Sequence, residues 1–141
     1  MTSDETSFIN RYRRLGLSGV PMDSSSINRL EEHLGLPIPA AYRAYLNIAG
    51  AEPPPKLVGS DCHDHYLFNL HEWANELLKE SGDPFRLPDD AIVFLMHQGY
   101  QFFYFRADGV NDDPAVYYYF EDRPACENPY DRFSDWVAAI V

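Results

Sequence analysis

Apolar residues recur three and four positions apart through much of the first 80 residues, then crowd into short near-continuous runs between residues 91 and 121. A change of period of that kind predicts helices followed by strands. The first helix is expected over Thr6–Arg14, with Phe8, Ile9, Tyr12 and Leu15 on one side. The second begins near Ser24–Ser26, whose hydroxyls suit a helix cap, and carries Ile27, Leu30, Glu31 and Leu34 at helical spacing to a stop at Gly35. Pro39 is placed for the first turn of a third helix, with Tyr42, Tyr45, Leu46 and Ala49 as its stripe and Gly50 as its end. Pro53, Pro54 and Pro55 then impose a loop. "NLHEWANELLKESG" is the clearest helix, with Leu70, Trp73, Ala74, Leu77 and Leu78 facing one way; Asn69 and Glu72 have the spacing of a capping box, and Gly82 closes it. Strands are predicted at Ala91–His97, Gln101–Ala107 and Ala115–Glu121, joined by connections short enough for an antiparallel meander. "FSDWVAAIV" puts Phe133, Trp136, Val137 and Ile140 on a closing helical stripe. Helices segregated from strands make this an α+β chain, and 141 residues suit a single domain over 1–141.

The last two strands raise a question of their own. Residues 97–121 hold nine Phe and Tyr rings, and alternation puts rings on both faces of the sheet. One face must be core. The other is too aromatic for plain solvent, so it is either covered by further segments or offered as a contact surface.

Charge narrows the partners. The formal net charge is −11, from 22 acids and 11 bases. Such a field repels nucleic acid and anionic membranes and attracts basic proteins. A base-stacking platform interleaves rings with cations. Here the neighbours of the rings are Asp108, Asp112, Asp113, Glu121 and Asp122, with Arg106 nearly alone, so nucleic-acid binding is not expected. The N-terminal "MTSDETSFINRYRRLG" lacks the basic start and apolar run of a signal peptide, and no stretch has the roughly 20 apolar residues of a membrane span; the expectation is a cytoplasmic protein. Cys62 and Cys126 do not form a disulfide framework and read as two thiols.

Candidate chemistry is thin. Asp61, Cys62, His63, Asp64, His65 and His71 are metal-capable and close in sequence, yet they lack CxxC or HExxH spacing, and no second cluster completes a tetrahedron. Cys62 and His63 are adjacent, which rarely gives the geometry of an activated thiol. Asp112 and Asp113 lie before Pro114 in a turn, where paired carboxylates are usually solvated. No phosphate-binding glycine loop or nucleophile elbow is present. No catalytic residue, metal or cofactor is expected.

The order of motifs says more. "INRLEEHLGLPIPAAYRAYLNIAG" resembles the opening signature of the Smi1/Knr4 family, also called the SUKH superfamily, through Ile27, Leu30, Glu31, Leu34, Gly35, Pro39, Tyr42, Arg43, Tyr45, Leu46 and Gly50. The family often has Asn-Gly at the helix end where this chain has Ala49-Gly50. "DDPAVYYYFE" resembles the family's Asp-Pro-x-Val-Tyr strand, and "FSDWVAAIV" its closing helix. The likeness runs over about residues 24–141, leaving 1–23 as an N-terminal helical extension.

The resemblance implies a mainly antiparallel sheet wrapped by helices and no enzymatic activity. Many bacterial members look like immunity proteins that bind and neutralise a polymorphic toxin, often a nuclease or nucleic-acid deaminase. Fungal members are regulatory scaffolds, so a non-catalytic adaptor with a cellular protein partner is the alternative. On the immunity reading the acidic rim meets the toxin's basic groove. The expected contacts are Asp61, Asp64, Asp108, Asp112, Asp113, Glu121 and Asp122, with Tyr117 and Tyr119 as aromatic anchors.

Overall fold

The computed structural model describes residues 2–121 and 127–141 of the chain. Its elements run α1 (Ser3–Leu15), α2 (Ser24–Leu34), α3 (Ala40–Ala49), β1 (Ser60–Asp61), α4 (Leu70–Glu80), β2 (Ala91–His97), β3 (Gln101–Arg106), β4 (Val116–Phe120), β5 (Glu127–Tyr130) and α5 (Phe133–Ile140), with short 3-10 turns at Pro55–Leu57 and Asp64–Phe68. The strands form one antiparallel sheet in the order β1-β2-β3-β4-β5, which makes this an α+β fold, as the segregated pattern predicts. Cys126 and Asp122 lie outside the described residues.

The sheet's register sorts the rings. Phe103 and Phe105 on β3 oppose Tyr118 and Val116 on β4, while Phe102 and Tyr104 oppose Tyr119 and Tyr117. The first face lies under α3 and α5: Tyr42 meets Phe105 edge-on at 5.1 Å, and Phe133 and Trp136 meet Phe94 at 5.2 and 4.9 Å. The second lies under α4 and the segment after it, where Phe85 packs on Tyr104 and Tyr119. Both ring faces are therefore covered at their centres. Phe102, Tyr104, Phe105 and Tyr119 are buried, and the remaining rings of β3 and β4 are half-buried. The rings answer first to packing, as offset and edge-on pairs do in cores.

α3 is the most buried helix because Ala41, Ala44 and Ala49 let its neighbours approach closely. α1 packs on it, and the Tyr12 hydroxyl donates to the Ala41 carbonyl at 2.9 Å. Arg43 ties three helices together: its guanidinium lies 3.2 Å from Glu31 on α2 and 3.8 Å from Glu5 on α1. Glu31 also accepts the Ile38 N–H at 2.8 Å, which holds the Leu-Pro-Ile-Pro link against α2.

Five local readings are refined. Asp23 caps α2, not Ser24–Ser26; its carboxylate accepts the Ser26 N–H at 2.7 Å, which holds it below the usual carboxylate range. Asn69 makes no capping bond to α4, because its backbone is already helical as it leaves the preceding 3-10 turn, whereas a capping box needs an extended cap residue. Leu15 is exposed; Gly16, at φ 93°, turns the chain so that Leu17 enters the core in its place. Trp73 is only half-buried, on the flank of the α4 stripe. Gly50 follows α3 in right-handed geometry, so it is not a left-handed stop. A side chain there would sit 2.7 Å from the Leu46 carbonyl and from the Met22 Cβ, so close approach is what demands glycine.

Candidate protein-binding surface

Five of the expected contact residues divide between two ends of the sheet. Asp108, Asp112 and Asp113 lie where β3 passes to β4, at the start of α3. Asp61 and Glu121 lie at the opposite end, beside the β2–β3 turn: Asp61 pairs with Met96, and the Glu121 N–H donates to the Tyr100 carbonyl. A strand of β3's length separates the ends by roughly 20 Å.

Several of these side chains already have work within the fold. Asp108 accepts the N–H groups of Val110 and Asn111 at 2.8 and 2.9 Å, which lowers its pKa. Asp113 is half-buried and accepts both the N–H and the hydroxyl of Ser134. Asp64 is exposed, adopts a left-handed φ of 53°, and bonds His65 at 3.1 Å, which holds its carboxyl low. Tyr119 is 1% exposed and hydrogen-bonds Ser81 and Asp83; a side chain so enclosed presents nothing to a partner. Tyr117 is half-buried, stacked on Tyr104 at 5.2 Å.

The histidine-rich loop does not converge. His65 pairs with Asp64, and His71 donates from Nδ1 to the Ala91 carbonyl at 3.2 Å, a contact that fixes the proton on that nitrogen because a carbonyl only accepts. Among the described residues no group of three or more His, Cys, Asp or Glu is disposed to hold a metal ion. Burial pushes the Cys62 thiol up to about 12, far from a nucleophile's range.

A different surface stands out. α4 turns Leu70, Ala74, Leu77 and Leu78 inward, so the four-residue spacing of Glu72, Glu76 and Glu80 lines three carboxylates along its outer side. Like charges at that spacing oppose helix formation, and none of the three has an ion-pair partner among the described residues. Clefts flank this ridge. One, of about 510 Å³, lies between α4, the end of α2 and the 3-10 turn at Asp64–Phe68; Leu34, Leu36 and Phe68 give it apolar walls, and Glu72, Glu76 and Asp89 give it charge. The other, of about 250 Å³, brings Asp61 and Trp73 together with Glu76 and Glu80. Among the described residues, Asp61 is thus the one expected contact that joins the ridge. The periodic Glu spacing was present in the sequence, but it reads equally as an ordinary solvated helix face until the clefts beside it are seen.

The fold is an acidic α+β domain with open clefts beside a carboxylate ridge on α4. The SMI1 / KNR4 family (SUKH-1) model matches residues 21–139, and the chain belongs to that family, which includes immunity proteins and is generally non-catalytic. No curated protein matches the chain significantly. The signature residues are architectural here. Ile27 and Leu30 are core, Glu31 and Arg43 bind helices to one another, and Asp113 from one motif caps Ser134 in the next. The signature therefore encodes the frame, and the ridge on α4 lies outside it. Among the described residues, no helix is long and apolar enough to cross a membrane.

Proposed function

We propose that this protein is an immunity protein that neutralises a cognate polymorphic toxin by stoichiometric binding, without chemistry of its own, in the cytoplasm of the cell that makes both. The family includes proteins of this kind. The observation that carries the reading is the Glu72–Glu76–Glu80 ridge, without an ion-pair partner among the described residues, on a protein of net charge −11. Toxins acting on nucleic acid, nucleases and deaminases, present basic grooves to phosphates. A row of carboxylates beside apolar clefts stands in for those phosphates and speeds encounter by electrostatic steering. Trp73 and Tyr117, each half-exposed, supply aromatic contact area, which dominates interface energetics.

The test is growth rescue. The partner retained by the tagged protein at low salt, and released at high salt, is expressed in a bacterial host with and without this chain. Survival only in the presence of the chain supports immunity. A partner that harms no cell, or harms it equally in both cases, moves the function to a regulatory adaptor.

A further inference from the structure

We infer that the cleft between α2 and α4 is a receptor for an arginine side chain presented by a protein partner. This rests on the protein-binding reading above and names what the surface takes. The cleft combines two features that suit a guanidinium better than any other natural side chain. Phe68 offers an aromatic wall, and Glu72, Glu76 and Asp89 offer carboxylates with no hydrogen-bond or ion-pair partner among the described residues. A planar, weakly hydrated cation stacks on the first while donating in pairs to the second. A lysine ammonium is a point charge that neither stacks as well nor bridges two carboxylates, and it gives up a stronger hydration shell on entry.

The charge count favours a cation throughout. Against three carboxylates the lining holds one cation, Lys79. The two imidazoles in the lining are turned to structural use: His33 donates from Nε2 to the Phe68 carbonyl at 3.0 Å and stands edge-on to the Phe68 ring at 5.2 Å, while His71 donates to Ala91. The His33 bond fixes the wall between α2 and the 3-10 turn, and the His71 bond ties α4 to β2, so the cleft exists before any partner arrives. At about 510 Å³ it has room for a whole side chain with its aliphatic stem lying along Leu34 and Leu36.

The experiment uses the full chain, labelled with ¹⁵N, titrated at low salt with a blocked Gly-Arg-Gly-Arg-Gly peptide and with its lysine and citrulline counterparts. The expected result is saturable shifts confined to amides around Leu36, Phe68 and Glu72–Glu76, at least fivefold weaker binding for the lysine peptide, and no binding for the citrulline one. Substituting Glu72→Gln, Glu76→Gln and Asp89→Asn together should weaken binding at least tenfold, whereas Lys79→Gln should strengthen it about twofold. These residues are on the surface, so the variants keep the fold, and the same spectra report it. A control pair of exposed carboxylates away from the cleft, Glu52→Gln with Asp131→Asn, should leave binding unchanged. Shifts spread evenly over the acidic surface, equal binding of arginine and lysine, indifference to the triple substitution, or no binding at all would each overturn the inference. None of those outcomes touches the immunity reading, which stands or falls on growth rescue. Failed rescue with a positive titration would leave the arginine receptor in place on an adaptor.

Discussion

Asp113 caps α5 from across the fold, its carboxylate accepting the Ser134 N–H at 2.8 Å and the Ser134 hydroxyl at 2.6 Å. The residue at the helix's own cap position, Arg132, makes no such bond. Ser134 is fully buried, so its hydroxyl has no water to turn to. Two segments that are far apart in sequence, Asp113-Pro114 and Phe133-Ser134, are thereby joined, and Phe133 and Trp136 are held against Phe94 and Tyr45.

Asp113→Ala is expected to cost about 2–4 kcal/mol, since it removes a helix cap and strands a buried hydroxyl. Ser134→Ala should cost less, because it removes the orphan along with the bond. The double variant should fall well short of the sum. Urea denaturation of the four proteins measures the coupling; strictly additive losses would mean that the two residues act separately.

Trp73 and Trp136 should behave differently despite equal size. Trp136 is 2% exposed among three rings, Tyr45, Phe94 and Phe133, and Trp136→Ala is expected to cost about 3–5 kcal/mol. Trp73 is half-buried, so Trp73→Ala should cost about 1–2 kcal/mol. Equal losses in urea melts would contradict the packing described for α4.

Cys62 should resist alkylation in the folded protein. The thiol is buried and its pKa is pushed up to about 12 by that burial first and by Asp61 second, so little thiolate exists at pH 8. Iodoacetamide followed by peptide mass mapping should show the Cys62 peptide modified only after denaturation. Rapid labelling of the native protein at Cys62 would show the site to be open.

Asp112 gives a pH dependence with a definite sign. Loss of hydration and then the neighbouring Asp4 raise its carboxyl above the ordinary value. A folded pKa above the unfolded one means that the folded state holds the proton more tightly, so ionised Asp112 opposes folding above its folded pKa, and that opposition is gone once the pH falls below the unfolded value of about 4. Asp112→Asn should therefore raise the Tm at pH 7 and leave it unchanged at pH 3. The Ala41 N–H bonds the Asp112 backbone carbonyl, which the substitution keeps. A lower Tm at pH 7, or a gain independent of pH, would contradict the contact with Asp4.

The helices and the three central strands were legible because each buries a stripe long enough to show a period; the ordered motifs led to the family for the same reason, since they are packing and capping residues. β1 has two residues, too few for any period, and β5 carries Pro129, which sequence rules count against a strand and which an edge position tolerates. Tyr119 was expected at the surface because a strand's alternation shows which rings share a face but not what lies over that face. Phe85, from a proline-flanked segment without a pattern, is what covers it. The acidic turn drew attention through its density of Asp, yet density is also what turns and caps require, and Asp108 and Asp113 are spent that way. The ridge on α4 was written in plain four-residue spacing, and only the flanking clefts distinguish it from a solvated face.

The central claim is inhibition by one-to-one binding, and residual toxin activity against molar ratio tests it most directly. The captured partner's toxic domain is assayed on its nucleic-acid substrate while this protein is added in steps. The account predicts a linear fall to zero activity at equimolar protein, with the Glu72→Gln, Glu76→Gln, Glu80→Gln variant needing excess. A complex that forms at equal ratio while activity stays intact would contradict it.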